Sequence, residues 1–507
     1  MEALKRRHYS SCFATSALGL ALITFAACSQ GDSTTETLAP GGSAGASSAL
    51  VFVNNTGDKT LTSVALKGDS GNAVANTIDA AEFENVALGD MQFSSGNWVF
   101  VNLPAANKVA TIDPLTAATP THEVNLPAGT RPVHIYRDAN DGEVIWSMND
   151  GNDVAGATSG DDLVNCGTQP GGSVTVMHNS HLGPGATPPR VLRTICLLAD
   201  GHKVTAFSGD GVPKRAFVSS EVGGEIAVID DQEGSPTYLQ MMHRIDLCKS
   251  NKETGLPTPA TCNPENATGT TAFTPNNSGP HGIRWSKLTK KIYSIQEGYG
   301  EIAEIDPTTW AIAKTFELAG TPYTSFGISP DGRFLMLSGE TTNPQAIKLG
   351  VIDLSATNPV VADLNIAELN GATTGSFTTG SSSFKFSPDG KRLYLLVGNS
   401  SSATVTKKDR LFAFDASTLS ATPPALTLLP NGEIPLLQTG RHSMDVFAQG
   451  AGEAKYVVVS NNGTPGSVSI INAADNAIKE TVTVGTNPGA VLVYRSGAAQ
   501  AGNQASN

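Results

Sequence analysis

The amino-acid sequence predicts an all-β protein that is built from repeated groups of short antiparallel strands. Within residues 456–494, an apolar run, an alternating run that ends at Ile471 and a second alternating run at 478–484 are separated by Gly, Asn and Pro. Alternation with a period of two, interrupted by turn residues about every eight to twelve positions, is typical of strands joined by hairpins. The composition agrees, because only 16% of the 507 residues are charged whereas the chain has 52 Gly and 29 Pro.

A turn sequence that recurs along the chain is the second observation. Ser-Pro-Asp-Gly occurs at 329–332 and at 387–390, and each copy lies between two strand-like runs. Pro and Asp suit the early positions of a tight turn, and Gly takes the position with a positive φ. Other strands end in an apolar residue followed by Asp, at 112–113, 229–230, 305–306, 352–353 and 414–415, with Ile-Asn at 471–472. Their average spacing of about 60 residues suits four strands with their loops.

The motif Tyr456-Val-Val-Val-Ser-Asn461, together with these turns, resembles the YVTN-type β-propeller repeat. Val458 and Ser460 differ from the motif that names the repeat. Similar repeats occur in YncE-like proteins and in the haem d1 propellers of cytochrome cd1 nitrite reductases. The resemblance implies a β-propeller, in which four-stranded blades form a ring around a central channel. It implies little about function, because propellers support many activities.

Eight blades can be counted from the strands that would lie nearest the channel. These innermost strands are predicted to begin near Met91, His134, His202, His281, Phe326, Phe384, Met444 and Ala490. Seven blades are the alternative if the irregular stretch 133–200 or 202–280 is misinterpreted.

The two ends of the propeller, predicted to span residues 49–496, should meet in one blade. Residues 50–66 supply two strands with no innermost strand before them, and 489–494 supply an innermost strand with nothing after it. We expect these segments to complete one blade together, because this closes the ring and leaves only short edges. Residues 497–507 are expected to be a disordered tail.

The N-terminus has the pattern of a bacterial export signal over residues 1–27. Lys5-Arg6-Arg7 precede an apolar run at 13–27, and Phe25-Ala-Ala-Cys28 resembles the end of a lipoprotein signal. This predicts a lipid on Cys28, a flexible polar tether at 28–48 and a location in the periplasm or at the outer membrane. Simple secretion and a retained transmembrane anchor are the alternatives.

The net charge of the chain limits the classes of partner that it can bind. The formal net charge is −13, and an acidic surface disfavours nucleic acid and anionic lipid while it attracts cations. We also expect a monomer that meets the membrane only through its lipid, and whose partners are a metal ion and a periplasmic acceptor protein.

Four cysteines follow the signal, namely Cys166, Cys196, Cys248 and Cys262. An even number in an exported chain predicts two disulfides. Three pairings are possible, and we favour Cys166–Cys196 and Cys248–Cys262 because each closes a local loop. The absence of a CxxCH motif argues against covalent haem.

Four histidines stand at equivalent places in the repeat, at the entry to an innermost strand. They are His134, His202, His281 and His442. The entry to an innermost strand faces the channel mouth of a propeller, and imidazoles that meet there suit Zn or Cu. Met444 could add a soft ligand for Cu(I). The positions are imperfectly equivalent, because His281 directly follows its Pro whereas His134 comes two residues after Pro132. The alternative is that these polar side chains only hold water and backbone groups.

Two weaker candidates lie in blade turns. His178-Asn-Ser-His181 has HxxH spacing. Residues three apart on a strand face opposite sides, so the two histidines could share a metal ion only if they lie in a loop. The alternative is that this segment is a solvated hairpin. Residues 138–142, Asp-Ala-Asn-Asp-Gly, are similar to a calcium loop that lacks its final Glu, and we interpret them as a hairpin turn.

No nucleophile elbow, P-loop, HExxH motif or Rossmann fingerprint is present in the sequence. The sequence therefore favours a non-catalytic, extracytoplasmic binding protein that captures or transfers Zn or Cu. The histidine placement is similar to that of periplasmic propeller metallochaperones, which implies such a role. A protein- or glycan-interaction scaffold, and an oxidoreductase with a metal or a haem d1-like cofactor, are the alternatives.

Overall fold

The computed structural model describes most of the predicted propeller. The described residues are 49–95, 98–114, 119–120, 122–151, 163–164, 172–178, 189–197, 201–253, 275–318, 320, 323–342, 345–364, 366, 384–397, 409–437, 443–449 and 452–495. The predicted export signal, the tether with Cys28 and the tail at 497–507 lie outside them. In the part that is described, no helix is both long enough and apolar enough to cross a bilayer.

The described strands form eight sheets, which we number as blades in chain order. Blade 1 contains β1 (Ala49–Asn55), β2 (Thr60–Leu66), β3 (Ala73–Ile78) and β33 (Pro488–Arg495). Blade 2 contains β4 (Met91–Phe93), β5 (Val99–Leu103), β6 (Lys108–Ile112) and β7 (His122–Asn125). Blade 3 contains β8 (Pro132–Arg137), β9 (Val144–Asn149), β10 (Leu163–Val164), β11 (Ser173–His178) and β12 (Arg190–Cys196). Blade 4 contains β13 (Lys203–Ser208), β14 (Arg215–Ser220), β15 (Glu225–Asp230) and β16 (Met241–Asp246).

The second half of the ring repeats the same four-stranded order. Blade 5 contains β17 (Pro280–Ser286), β18 (Lys291–Gln296), β19 (Glu301–Ile305) and β20 (Ile312–Glu317). Blade 6 contains β21 (Tyr323–Ile328), β22 (Phe334–Thr342), β23 (Gln345–Asp353) and β24 (Val361–Leu364). Blade 7 contains β25 (Phe384–Phe386), β26 (Arg392–Val397), β27 (Arg410–Asp415) and β28 (Thr427–Pro435). Blade 8 contains β29 (Met444–Gln449), β30 (Glu453–Asn461), β31 (Ser467–Asn472) and β32 (Ala477–Thr483). Short 3-10 helices lie at Ala80–Phe83, Pro104–Ala106 and Ala416–Ser420.

The protein is thus an all-β, eight-bladed propeller, which confirms the predicted fold class and sets aside the seven-bladed alternative. The innermost strands are β33, β4, β8, β13, β17, β21, β25 and β29, and they lie where the sequence predicted them. The prediction succeeded because each blade carries its own alternating pattern and its own turn residues.

The ring is closed by pairing between the two ends of the propeller, as predicted. Strand β33 pairs antiparallel with β1, so that Val51 lies opposite Val493 and Phe52 opposite Leu492. The backbone N–H of Gly57 also donates to the carbonyl of Thr486 at 3.0 Å. This pairing gives blade 1 its innermost strand and covers the inner edge of β1.

One buried carboxylate reinforces this closure. Asp445 in β29 is 4% exposed, and its Oδ1 accepts a hydrogen bond from Lys385 of blade 7 at 2.5 Å. Its Oδ2 accepts one from the backbone N–H of Val493 in blade 1 at 2.8 Å. The side chain therefore joins three consecutive blades next to the closing strand.

Asparagines at the end of three second strands fasten the blade hairpins. In blade 8, Asn461 Nδ2 donates to the hydroxyls of Ser467 at 3.2 Å and Ser469 at 2.9 Å on the next strand. Asn55 and Asn149 make the equivalent pair of bonds in blades 1 and 3, at 2.9–3.0 Å. The last residue of the motif at 456–461 thus has a structural role that recurs around the ring.

Cys196 and Cys248 are each disulfide-bonded. Cys166 and Cys262 lie outside the described residues. The pairing of the four cysteines therefore stays a prediction.

The two Ser-Pro-Asp-Gly segments form the predicted turns. Gly332 and Gly390 have φ angles of +79° and +73°, and each N–H donates to the Ser carbonyl three residues earlier at 2.8 Å. In the first turn, Asp331 Oδ1 also accepts from the N–H of Arg333 at 3.0 Å. A positive φ is favourable for Gly and strained for other residues.

The two glycines offer a matched test of turn packing. A Cβ at Gly332 would lie 2.8 Å from the backbone N of Lys287, whereas at Gly390 it would meet nothing nearer than Pro330 Cδ at 3.6 Å. We expect Gly390→Ala to cost about 1–2 kcal/mol, the usual penalty for the left-handed conformation. Gly332→Ala should cost clearly more, because backbone must also move. Thermal and urea unfolding measure both losses, and equal losses would contradict the packing argument.

Candidate functional site

Three of the four histidines singled out in the sequence lie side by side on blades 3, 4 and 5. His134 is in β8, His202 directly precedes β13, and His281 is in β17. The ring centroids of His134 and His202 are 4.5 Å apart, and those of His202 and His281 are 4.6 Å apart. His442 lies outside the described residues. The three rings form a continuous row at one end of the innermost strands, and we call them the histidine row.

Two β-bulges bring His134 and His281 to matching places despite their different spacing from Pro. In β8 the register shifts between Pro132 and His134, and His134 pairs with Met148. In β17 the register shifts between Pro280 and Gly282, so His281 itself is left out of the ladder. A bulge adds one residue to a strand and re-aims a side chain, which absorbs the offset seen in the sequence.

A carboxylate orients the first ring of the row. His134 Nδ1 lies 2.6 Å from Asp90 Oδ2, and His134 Nε2 lies 3.0 Å from His202 Nδ1. Burial opposes protonation of His134, but the charge and hydrogen bond of Asp90, helped by Asp150, outweigh it and raise the pKa of His134. Asp90 thus stabilises the tautomer of neutral His134 that carries its proton on Nδ1.

The middle ring is held neutral. Burial, together with the neighbouring His134, His281 and Lys203, lowers the pKa of His202 to about 3. When His134 is neutral and its proton lies on Nδ1, facing Asp90, its Nε2 accepts the Nδ1–H of His202. The remaining nitrogen of His202, Nε2, then carries a lone pair, and this buried atom has no hydrogen-bond partner among the described residues. An unsatisfied buried acceptor is costly unless a ligand occupies it.

The third ring is oriented from the other side. His281 Nδ1 lies 2.9 Å from Glu297 Oε1 and 3.2 Å from the carbonyl oxygen of Thr324. The hydrogen bond with Glu297 outweighs burial and raises the pKa of His281. The side chain is 33% exposed, which makes it the more accessible end of the row.

Acidic residues that the sequence analysis did not include in the site lie next to the histidines. Asp150, Glu221 and Glu297 each directly follow the second strand of blades 3, 4 and 5. Their backbone N–H groups donate to the carbonyls of Arg131, His202 and Gly279 at 3.0–3.1 Å, so the three positions are structurally equivalent. Comparing equivalent positions across repeats would have found them, and Asp90 likewise directly precedes an innermost strand, as His202 does.

Asp150 adds a half-buried carboxyl group beside the row. Its Oδ1 is buried without a hydrogen-bond partner among the described residues. Burial raises its pKa, while Lys203 and His134 oppose this shift. Its backbone carbonyl accepts from the N–H of Gly201 at 3.1 Å, which places it next to the middle histidine.

The rings contact one another directly in this arrangement. Within the described ranges, no three His, Cys, Asp or Glu side chains are already grouped as the ligands of a metal ion. Coordination of an ion by the row would therefore need the side-chain torsions to change, beginning with the hydrogen bond between His134 and His202.

The other predicted ligands lie apart from the histidine row. Met444 is 6% exposed and packs in an apolar cluster with Tyr394, Leu411 and Val459. His178, in the third strand of blade 3, lies 3.6 Å from Glu143 through its Nε2. His181 lies outside the described residues.

The turn at 138–142 engages its carboxylate internally. Asp138 Oδ1 accepts from the N–H groups of Asn140 and Asp141 at 2.7 and 3.1 Å, and Oδ2 accepts from Trp146 Nε1 at 3.0 Å. Burial, and then the charge of Asp138, raise the pKa of Asp231 in the neighbouring blade well above its usual range. The bonds of Asp138 support the hairpin-turn interpretation.

The sequence matches no family model and no curated protein, so the resemblance to YVTN repeats stays a prediction. Several solved structures are similar. The periplasmic gluconolactonase PpgL of Pseudomonas aeruginosa is 14% identical, with a TM-score of 0.48 and coverage of 88% of this chain and 99% of that one. A putative 6-phosphogluconolactonase of Bacteroides fragilis is 16% identical, with a TM-score of 0.47 and coverage of 90% and 100%. Apo AztD of Citrobacter koseri is 11% identical, with a TM-score of 0.41 and coverage of 90% and 100%. At these values the likenesses transfer no function.

The protonation of the row can be read directly in the metal-free protein. We expect the His202 ring to stay neutral down to about pH 3, whereas His134 and His281 keep their protons above the ordinary value of 6.5. Imidazole nitrogen shifts in NMR spectra report each ring. Titration of His202 near pH 6.5 would contradict the buried, neutral environment.

The same shift predicts the sign of a pH effect on stability. The folded-state pKa of His202 lies below its unfolded value of 6.5, so the folded protein resists this protonation. The contribution to stability is complete above pH 6.5 and is lost as the pH falls toward 3. His202→Gln should therefore reduce the loss of melting temperature between pH 6.5 and pH 4, and an unchanged loss would be the contrary result.

Proposed function

We propose that the protein is an extracytoplasmic binding protein that holds a Zn or Cu ion through the histidine row. The observation that carries this proposal is the Nε2 atom of His202, a buried imidazole nitrogen with no hydrogen-bond partner among the described residues. A neutral imidazole with an available lone pair is the form that binds Zn and Cu.

The surroundings of the two outer rings support the same role. Nδ1 of His134 is hydrogen-bonded to Asp90, and Nδ1 of His281 is hydrogen-bonded to the carbonyl oxygen of Thr324 and lies 2.9 Å from Glu297 Oε1. Histidine ligands in metal sites usually donate their second ring N–H to a carboxylate or a carbonyl, which orients the ring and increases its basicity. Both outer rings would therefore bind through Nε2, after His134 gives up its bond to His202.

The charge around the row also suits a cation. Asp90, Asp150 and Glu297 lie against the rings, and Asp150 has a buried oxygen without a partner. Carboxylates near a divalent ion compensate its charge in a site with little water. His442, which the sequence predicts at the equivalent place of its repeat, is the proposed fourth ligand. Asp150 or water is the other candidate for that position.

The row suits capture and transfer better than permanent structural binding. A structural zinc is enclosed by its ligands, whereas an exchangeable ion needs an open position. His281 is one-third exposed, and this leaves one side of the row accessible. We propose that an ion enters and leaves at this side, in exchange with a periplasmic acceptor protein. An exported monomer with lipid on Cys28 completes this proposal.

Metal binding by the purified full chain tests the function. Wild type should bind about one Zn or Cu ion, and His202→Ala and His281→Ala/His442→Ala should lose affinity by about 100-fold or more, because each removes a ligand. Asp90→Asn should lose about 10- to 100-fold, the usual effect of removing a carboxylate that orients a ligand. Calorimetry and elemental analysis measure affinity and content.

His243→Ala is the matched control for this experiment. His243 lies in the outermost strand of blade 4, where its ring stacks on Trp310 at 4.9 Å. Its removal should leave metal affinity unchanged. Wild-type protein that takes up no Zn or Cu, with no rise in melting temperature on their addition, would refute the proposal.

A further inference from the structure

A buried arginine lies in the channel region without a carboxylate partner. Arg284 in β17 is 4% exposed, and its Nη1 donates to the carbonyl of the adjacent Ile283 at 2.8 Å. Its guanidinium carbon is 5.5 Å from the centre of the Phe326 ring. Burial lowers the pKa of Arg284 to about 10, and Tyr136 is the group that opposes this shift. No ion pair joins Arg284 to any carboxylate in the described part of the chain.

Arg244, a second buried arginine in the described part of the chain, shows how this protein compensates such a charge. Arg244 is 1% exposed, and its Nη1 donates to both carboxylate oxygens of Glu225 at 2.9 and 3.0 Å. A buried charge with no counter-charge is strongly unfavourable. Arg284 therefore lacks the kind of partner that Arg244 has.

A buried hydroxyl without a partner in the described part of the chain lies on the innermost strand of blade 3. The Tyr136 side chain in β8 is 2% exposed, and its hydroxyl is buried without a hydrogen-bond partner among the described residues. Tyr136 and Arg284 belong to blades 3 and 5, and the charge of Arg284 counteracts the rise in the pKa of Tyr136 that burial causes. A buried Tyr hydroxyl normally finds a partner. Within the described ranges, the hydroxyl of Tyr136 thus lacks a hydrogen-bond acceptor or donor, and the guanidinium of Arg284 lacks a counter-charge.

The position of this pair relates it to the histidine row. Tyr136 follows His134 by two residues in β8, and Arg284 follows His281 by three residues in β17. At a rise of about 3.3 Å per residue, they lie roughly 7–10 Å farther along the innermost strands. The pair is therefore separate from the metal ligands but lies along the same channel.

We propose that Arg284 and Tyr136 form an oxyanion subsite that binds a carboxylate or phosphate group of a ligand in the central channel. An oxyanion supplies what both groups lack, because it neutralises the guanidinium and accepts hydrogen bonds from its fork and from the phenol. Water would satisfy hydrogen bonds but would leave the charge uncompensated. This subsite goes beyond the proposed metal site and does not depend on it.

The test compares three variants of the full chain in a buffer of low ionic strength. Arg284→Met keeps the length of the side chain without its charge, Tyr136→Phe removes only the hydroxyl, and Arg333→Met is the control. Arg333 forms a surface ion pair with Asp353 at 2.7 Å. Inorganic phosphate and acetate are titrated separately by calorimetry and by melting temperature, which distinguishes the two oxyanion classes.

The subsite predicts opposite effects with and without the anion. In anion-free buffer, Arg284→Met should melt at the same or a higher temperature than wild type, because it removes an uncompensated charge. Phosphate or acetate should raise the melting temperature of wild type and of Arg333→Met. Anion affinity should fall at least tenfold in Arg284→Met and about three- to tenfold in Tyr136→Phe.

Two results would overturn the subsite. In the first, Arg284→Met melts at a lower temperature than wild type in anion-free buffer, and phosphate or acetate raises the melting temperature of both proteins equally. Arg284 would then have a purely structural role. The second is unchanged anion affinity in Tyr136→Phe and Arg284→Met. Zinc titration of Arg284→Met keeps this test separate from the metal site, since zinc affinity should match that of wild type.

Discussion

The fold depends on a constraint that acts on every blade, because a four-stranded sheet has two apolar faces and cannot cover either by itself. Strand β15 is buried along its whole length, and the apolar cluster around Val218 runs from Trp146 in blade 3 to Ile292 in blade 5. Each blade is thus stabilised by its neighbours, and an open series of blades would expose a face at each end. Closure of the ring covers both exposed faces. Asp445 strengthens this closure, because it joins three blades beside the closing strand.

The strands and turns of each blade were predictable from the sequence, whereas the contacts between blades were predictable only in part. Strand positions and the positive φ at Gly332 follow from patterns of a few residues. The bulge that leaves His281 out of its ladder could not be predicted, because bulges depend on the partner strand. Arg284 also escaped notice, since one charged residue in a strand pattern normally faces solvent, and its burial follows from the next blade.

The candidate site combines equivalent positions of the repeat rather than a contiguous motif. The entry to the innermost strand supplies the histidines, and the residue after the second strand supplies Asp150 and Glu297. These positions are adjacent because the two strands form a hairpin, so each blade can present an imidazole beside a carboxylate. Carboxylates beside the outer rings raise the pKa values of His134 and His281, whereas burial lowers the pKa of His202. Three neighbouring imidazoles therefore differ in how readily they bind a proton. A repeat fold thus produces an asymmetric site by varying residues at a few repeated positions.

The pairing of β1 with β33 has a consequence for the order of events during biosynthesis. The contact between Thr56 and Asn487 joins residues 431 positions apart. At translation rates of about 5–20 residues per second, β1 exists for roughly 20–90 s before its partner strand has been made. Blades 2 to 8 can assemble in sequence during that time, but the inner edge of β1 stays unpaired until the last strand arrives. Completion of the native state therefore waits for the synthesis of β33, and an early-made strand depends on protection from edge-to-edge association until the ring closes.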